Sequence, residues 1–148
     1  MFKKLKEKRV NRLKGNIAEY EQYVANNEAL LEDIKNNYLP LRDKCEKVIR
    51  DNKLNYYSLG DCFHAAYKDD KLTLRVCKVD ADVWDGKAIQ RLGDVVFEET
   101  VQLRCFNPES FVADQILKLK DPTWIIERDI ERDKSMLNLY KRDLENAN

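Results

Sequence analysis

Residues 10–48 read VNRLKGNIAEYEQYVANNEALLEDIKNNYLPLRDKCEKV, and their spacing decides the fold. Val10, Leu13, Ile17, Tyr20, Val24, Asn27, Leu31, Ile34, Tyr38, Leu41, Cys45 and Val48 alternate steps of three and four. Eleven of these twelve positions are apolar or aromatic. A stripe so narrow, kept for nearly six heptads, is the seam of a coiled-coil helix, because each helix of such a pair buries one edge only. Asn27 is the one polar seam residue in this run. A buried Asn costs stability and fixes register and partner number; the plainer alternative is an open point in the seam.

Two signals set the expected limits of this helix. Gly15 followed by Asn16-Ile17-Ala18-Glu19 matches a capping box, with Asn16 as the cap and Glu19 at the third helical position. A long helix is therefore expected over 16–52, leaving 1–15 as a separate basic segment. Pro40 lacks an N–H and crowds the preceding turn, which predicts a kink there. Leu41, Cys45, Val48 and Ile49 then continue an apolar edge to about Asn52.

A second heptad closes the chain: Ile126, Ile130, Asp133, Leu137, Tyr140, Leu144 and Ala147. Asp121-Pro122 is a start signal, so this helix is expected over 122–146. Asp133 interrupts the seam as Asn27 does in the first helix. Trp124, Ile125 and Met136 lie off the strict seam and imply a wider buried face.

Between the helices, over 55–106, the period changes to two. Phe63, Ala65 and Tyr67, then Leu72, Leu74 and Val76, alternate around Lys68-Asp69-Asp70-Lys71, which reads as a β-hairpin. Pairing Lys68 with Lys71 sets Tyr67 opposite Leu72, Ala65 opposite Leu74 and Phe63 opposite Val76, one continuous apolar face. The second strand ends near Val79 at the turn-rich run from Asp80 to Gly86. Phe97, Val101, Leu103 and Cys105 share one face of a further strand, with Glu99 as the exception. Residues 87–93 fit a short helix or a strand. Asn107-Pro108 starts a short helix over 108–119, with Phe111, Val112, Ile116 and Leu119 as its apolar stripe.

The fold class expected is α+β: long helices at both ends of a small antiparallel sheet, with one short helix, as a single domain of 148 residues. The helices pair with each other as an antiparallel stalk, or with a second chain. About 36 residues of first-helix seam face about 25 in the last, and at ~1.5 Å per residue roughly 15 Å of stripe is left over. That surplus points to a homodimer or a partner protein, with Ile17, Tyr20, Val24, Asn27, Leu31, Ile34 and Tyr38 as the seam. The order of elements resembles that of prefoldin-type chaperones, which place β-hairpins between two coiled-coil helices. The resemblance is one of order, without a sequence motif, and it implies a coiled-coil chaperone-like protein as one reading.

Lys+Arg and Asp+Glu both number 27, so the formal net charge is zero. The neutrality hides an asymmetry. Lys3, Lys4, Lys6, Lys8, Arg9, Arg12 and Lys14 stand against Glu7 alone, so the first fifteen residues carry +6 and the rest −6. Cations at a helix start oppose its dipole, so their concentration there favours a partner-driven reason. Phosphates of a nucleic acid are one such partner. An anionic membrane surface is another, though Phe2, Leu5 and Leu13 make a thin apolar face. No window reaches the ~18 apolar residues of a membrane span, and no signal-peptide core follows the basic start. A cytoplasmic protein is expected, in the host-cell cytoplasm if the chain is viral.

Catalytic and metal motifs are sparse. Cys45, Cys62, Cys77 and Cys105 form no CxxC pair and are expected as reduced, buried thiols. The hairpin register sets Cys62 across from Cys77 and His64 across from Arg75. Cys62, His64 and Cys77, with Cys105 joining from another strand, match zinc chemistry but not zinc-ligand spacing. No metal or cofactor is expected. A Cys–His dyad lacks an orienting group. Asp80, Asp82, Asp85 and Gly86 do not fit a calcium loop, since Trp84 and Arg91 fall at required acidic positions. P-loop, G-x-G-x-x-G, G-x-S-x-G and H-E-x-x-H patterns are absent from the sequence. Trp84 is a candidate binding anchor if exposed; otherwise it folds back on its sheet, and Tyr56 and Tyr57 share that ambiguity. The expected function is a non-enzymatic protein-interaction or assembly role. A phage or mobile-element accessory or inhibitor protein suits the Lys-, Asn- and Asp-rich composition. A nucleic-acid-binding accessory protein is the alternative.

Overall fold

A computed structural model describes residues 2–54, 62–80 and 91–147. Helix α1 spans Phe2–Asp33. A single π turn at Ile34–Tyr38 joins it to α2, Leu39–Asp51. Strands β1 (Phe63–Lys68), β2 (Lys71–Asp80) and β3 (Arg91–Gln102) form one antiparallel sheet in the order β1-β2-β3. Helices α3 (Phe111–Leu117) and α4 (Thr123–Ala147) follow. The architecture is α+β, as the two periodicities require. Trp84, Tyr56, Tyr57, residues 87–90 and the acidic run after Asp80 lie outside the described residues.

The expected start at Asn16 is corrected: α1 begins at Phe2 and runs through Gly15. Lys, Leu, Glu and Arg before Gly15 are strong helix formers. A glycine in a helix costs only about 1 kcal/mol against alanine, too little to stop a helix flanked by such residues. Glu19 does not fold back as a cap; its carboxylate accepts the Tyr23 hydroxyl. Residues 2–15 are therefore continuous with the stalk helix and not a separate segment.

The interruption expected at Pro40 takes the form of the π turn just before it. Leu39 N–H bonds to the Ile34 carbonyl, five residues back. The wider turn takes in one extra residue, and Pro40 falls in the first turn of α2, where a missing N–H costs nothing. Beyond this point the helix changes partner. Leu41, Cys45 and Ile49 are buried, with α2 packed over β2 and β3.

The hairpin register is the one expected. Phe63 pairs with Val76, Ala65 with Leu74, Tyr67 with Leu72 and Lys68 with Lys71. Asp69 and Asp70 take φ of 52° and 60°, the two left-handed positions of a tight two-residue hairpin turn. Tyr67 OH donates to Asp70 Oδ1 at 3.0 Å and supports it. Strand β3 continues the inner face, pairing Val101 with Leu72 and Phe97 with Val76. Glu99, the polar exception, meets Lys44 of α2 at 3.2 Å. Register shifts flank Cys77. There Gly93 comes so close to β2 that a Cβ would lie 2.7 Å from the Lys78 carbonyl oxygen, which only glycine tolerates.

Helix α3 is shorter than expected. Ser110 Oγ accepts the Ala113 N–H at 3.2 Å as the cap, and Asn107-Pro108 forms the turn before it. The stripe also shifts: Val112, Ala113, Ile116 and Leu119 are buried, while Phe111 is exposed. Leu119 closes the helix at φ 58°, with Lys120 N–H to the Gln115 carbonyl and Leu119 N–H to the Ile116 carbonyl. That is a Schellman closure with leucine where glycine is usual. The carbonyls it turns outward are used: Arg42 Nε donates to Leu119 O at 2.7 Å and Tyr38 OH to Lys120 O at 2.8 Å.

The two long helices pair with each other, antiparallel, within the chain. Tyr20 packs on Tyr140 at 5.4 Å between ring centroids. Three ion pairs repeat at heptad spacing in opposite directions: Glu21–Lys141, Glu28–Lys134 and Lys35–Glu127. The core where stalk and sheet meet includes Leu30, Ile34, Tyr38, Ile126 and Ile130. Ile125 joins it, and Trp124 does not.

Candidate functional site

All seven basic residues from Lys3 to Lys14 are exposed on α1, as are Phe2 and Leu5. Leu13 is buried at 5% exposure. One heptad beyond Tyr20–Tyr140, the helix pairing reaches Leu13 on α1, level with Ala147. Residues 2–9 lie past that point and are exposed throughout. The surplus stripe expected of residues 16–52 is instead covered within the chain, where Leu41, Cys45 and Ile49 pack with α2 over the sheet, and residues 2–9 are no part of it.

The apolar heptad does not continue through it. Stepping back from Val10 by four and three lands on Lys6 and Lys3. At about 100° per residue, Lys4, Lys8 and Arg12 line one flank. Lys3 and Lys14 line a second flank about 130° round from it, and Lys6 and Arg9 lie between on the wider arc, on the side of Phe2, Leu5 and Leu13. Positive charge thus surrounds the helix.

The seam residues are taken up within the chain. Ile17, Tyr20, Val24, Asn27 and Leu31 are half-buried along the α1–α4 pair, and Ile34 and Tyr38 are fully buried. Sequence reasoning marked Asn27 and Asp133 as separate interruptions. One heptad on from Tyr20–Tyr140 they fall in the same layer, and both line one cleft of about 500 Å³ with Tyr20, Tyr23, Asn26 and Arg132. Asp133 is 5% exposed and accepts a long bond, 3.4 Å, from Arg132 Nε. Burial foremost, then Tyr140 and Asp133, push the Tyr20 phenol up, so it stays neutral beside that carboxylate.

Sequence reasoning also missed a second buried acid, Asp33, at the end of α1. Its carboxylate accepts the Arg104 backbone N–H at 2.8 Å, Nε at 2.9 Å and Nη2 at 3.0 Å. Burial would raise this carboxyl, but the Arg104 hydrogen bonds and charge outweigh it and hold it below its usual value. No local signal pairs positions so far apart in sequence.

The four-ligand zinc set is not assembled, which corrects that grouping. Cys62 and Cys77 are buried at the end of the hairpin away from its turn. Cys105 is exposed near the turn, where Leu103 N–H bonds to Asp70 O, and its Sγ points to Asn26 Oδ1 at 3.6 Å. The strand between these ends rises ~3.3 Å per residue, which separates them by roughly 20 Å. The described residues hold no group of three or more His, Cys, Asp or Glu placed for a metal ion. His64 Nε2 is buried without a hydrogen-bond partner among them. Burial pushes the Cys45 thiol up to about 12, with Glu99 and Glu46 adding to it, so it is no nucleophile at neutral pH.

Among the described residues no helix is long and apolar enough to cross a membrane. Compared with protein-family models, with curated proteins and with solved structures, the chain matches none of them.

Proposed function

We propose that this chain is a non-enzymatic binding protein whose α1 helix engages an anionic macromolecule through residues 2–14. The observation that carries this reading is a helix, not a loose tail, that presents seven exposed cations against one acid. A pre-formed helix loses little conformational freedom on binding, so its charge acts at small entropic cost. The head and the α1–α4 pair serve as the scaffold that holds this helix. Immobilised heparin supplies a simple polyanion. The protein is expected to be retained at ~0.1 M salt and released by more salt, with release at lower salt after Lys4→Gln, Lys8→Gln and Arg12→Gln together. Passage through the column unretained at ~0.05 M salt contradicts the reading.

A protein partner is favoured by a different observation. Phe111 and Trp124 meet edge to face at 6.3 Å, both 53% exposed, and Arg128 lies over the indole at 5.6 Å. Exposed aromatic and Arg side chains are the residue types that anchor interfaces. If the partner is a second copy, mass by light scattering rises with concentration and Trp124→Ala abolishes the rise. A constant monomer mass removes the homodimer.

A further inference from the structure

We propose that the anionic partner of residues 2–14 is B-form duplex DNA, with this stretch of α1 lying in the major groove. The inference rests on the polyanion reading above and names its ligand class.

The arrangement of charge around the helix separates the candidate partners. A membrane-surface helix needs an uninterrupted apolar face opposite its cations. Here Lys6 and Arg9 stand on the side of Phe2, Leu5 and Leu13 and break that face. A further coiled-coil helix, even an acidic one, needs apolar seam positions to bury. Here the positions in phase with Val10 are Lys6 and Lys3. A second copy of the same stretch would bring +6 against +6.

A nucleic-acid groove is the one partner that places phosphate on two sides of a helix at once. The B-form major groove is about 12 Å wide and admits a helix about 10–12 Å across. Lys4, Lys8 and Arg12 then face one wall, Lys3 and Lys14 the other, and Lys6 and Arg9 the floor or rim. Residues 2–12, short of the buried Leu13, measure about 16 Å at 1.5 Å per residue, enough to lie across the groove. The A-form major groove is too narrow for side chains to read, so duplex RNA fits worse. Single strands offer no second wall. Glu7 is the sole acid among these residues. Phosphate contacts dominate the set, so little sequence preference is expected.

Fluorescence anisotropy of the full chain tests this. The probes are a mixed-sequence DNA duplex, its single strand, an RNA duplex of the same sequence, and vesicles of phosphatidylcholine with phosphatidylserine. The DNA duplex is expected to bind tightest, with a log–log salt slope of roughly −5. Replacing Lys4, Lys8 and Arg12 by Gln removes one wall of contacts. The slope should fall by about 3 and affinity at ~0.1 M salt by on the order of 100-fold. Circular dichroism checks that the variant keeps its helix. Bound protein should protect guanine N7 from methylation and should not be displaced by a minor-groove ligand. Equal or tighter binding to the single strand, the RNA duplex or the vesicles overturns the duplex-DNA assignment. If heparin retention persists in that case, the polyanion reading stands. Unaltered duplex affinity in the triple variant also overturns the assignment, and binding to none of these probes nor to heparin removes both.

Discussion

Replacing Arg104 by alanine is expected to lower stability near neutral pH, read as a drop of several degrees in thermal midpoint. Removing one partner of a buried pair is strongly destabilising, and solvent screening weakens the effect here because the Arg104 side chain is itself 40% exposed. Asp33, 4% exposed, would keep only the backbone N–H among its three hydrogen bonds from residue 104. The pH dependence makes the result specific. In the native protein the Asp33 carboxyl lies below its unfolded value, near 3.9. Its contribution is fully present above that value and is lost as pH falls through the folded one. In the variant, burial acts without the guanidinium and raises the same carboxyl, so the variant gains relative stability on protonation. Denaturant unfolding at pH 7, 5 and 3.5 should show the gap between the two proteins widest at neutral pH and narrowing near pH 3.5. A gap that stays constant over this range would mean that Arg104 acts through packing alone.

Replacing both Asn27 and Asp133 by leucine is expected to stabilise the folded chain by about 2 kcal/mol and to loosen its assembly. Well-packed apolar residues in place of buried charged groups are often neutral to stabilising by 1–4 kcal/mol, and here Asp133 is buried and Asn27 half-buried. Asp133→Leu removes a buried carboxylate whose Arg132 donor, Nε, sits 3.4 Å away. The cost of the change lies in specificity. With the layer intact, sliding α4 by one heptad toward the head would set Asp133 against Ile34, which penalises that register. Without it, neighbouring registers and pairings between chains come closer in energy. The double variant should melt higher while light scattering reports a mixture of masses, and the two single changes should be non-additive by 0.5–3 kcal/mol. A double variant that melts lower, or changes that simply add, would show that the two residues do not act as one layer.

Much of the fold could be read from the chain because each periodicity left one answer. Pairing around Asp69-Asp70 set every inner-face residue of the hairpin, since a slip by one would turn Phe63, Ala65 and Tyr67 outward. The heptads located both long helices. Asn16 and Glu19 misled because a capping pattern carries no weight inside a run of helix formers. Phe111 misled because its stripe fits helical spacing, yet Ser110 starts the helix later and turns Phe111 toward Trp124. The site was legible as charge but not as geometry. Seven cations were plain, whereas their placement around one helix required knowing that α1 runs unbroken through Gly15. The Asn27–Asp133 layer required the offset between antiparallel helices, which three long-range ion pairs mark and no short stretch encodes. Cys105 was grouped with Cys62 and Cys77 because strand phase is visible in a sequence and position along the sheet is not.

The π turn at Ile34–Tyr38 has a mechanical consequence. It works as a phase offset in a single rod, letting one helix serve two partners whose contact lines do not coincide. Residues before it are timed to α4, and residues after it to the sheet. Losing one residue from that turn would restore ordinary winding and keep Leu41, Cys45 and Ile49 over β2 and β3, whereas winding all its residues as α-helix would rotate them by about 100° away. Losing one residue near Leu5 would leave every packed layer in place. The extra residue is therefore absorbed at the joint between stalk and head, and the end that carries the charge sits outside every packed layer.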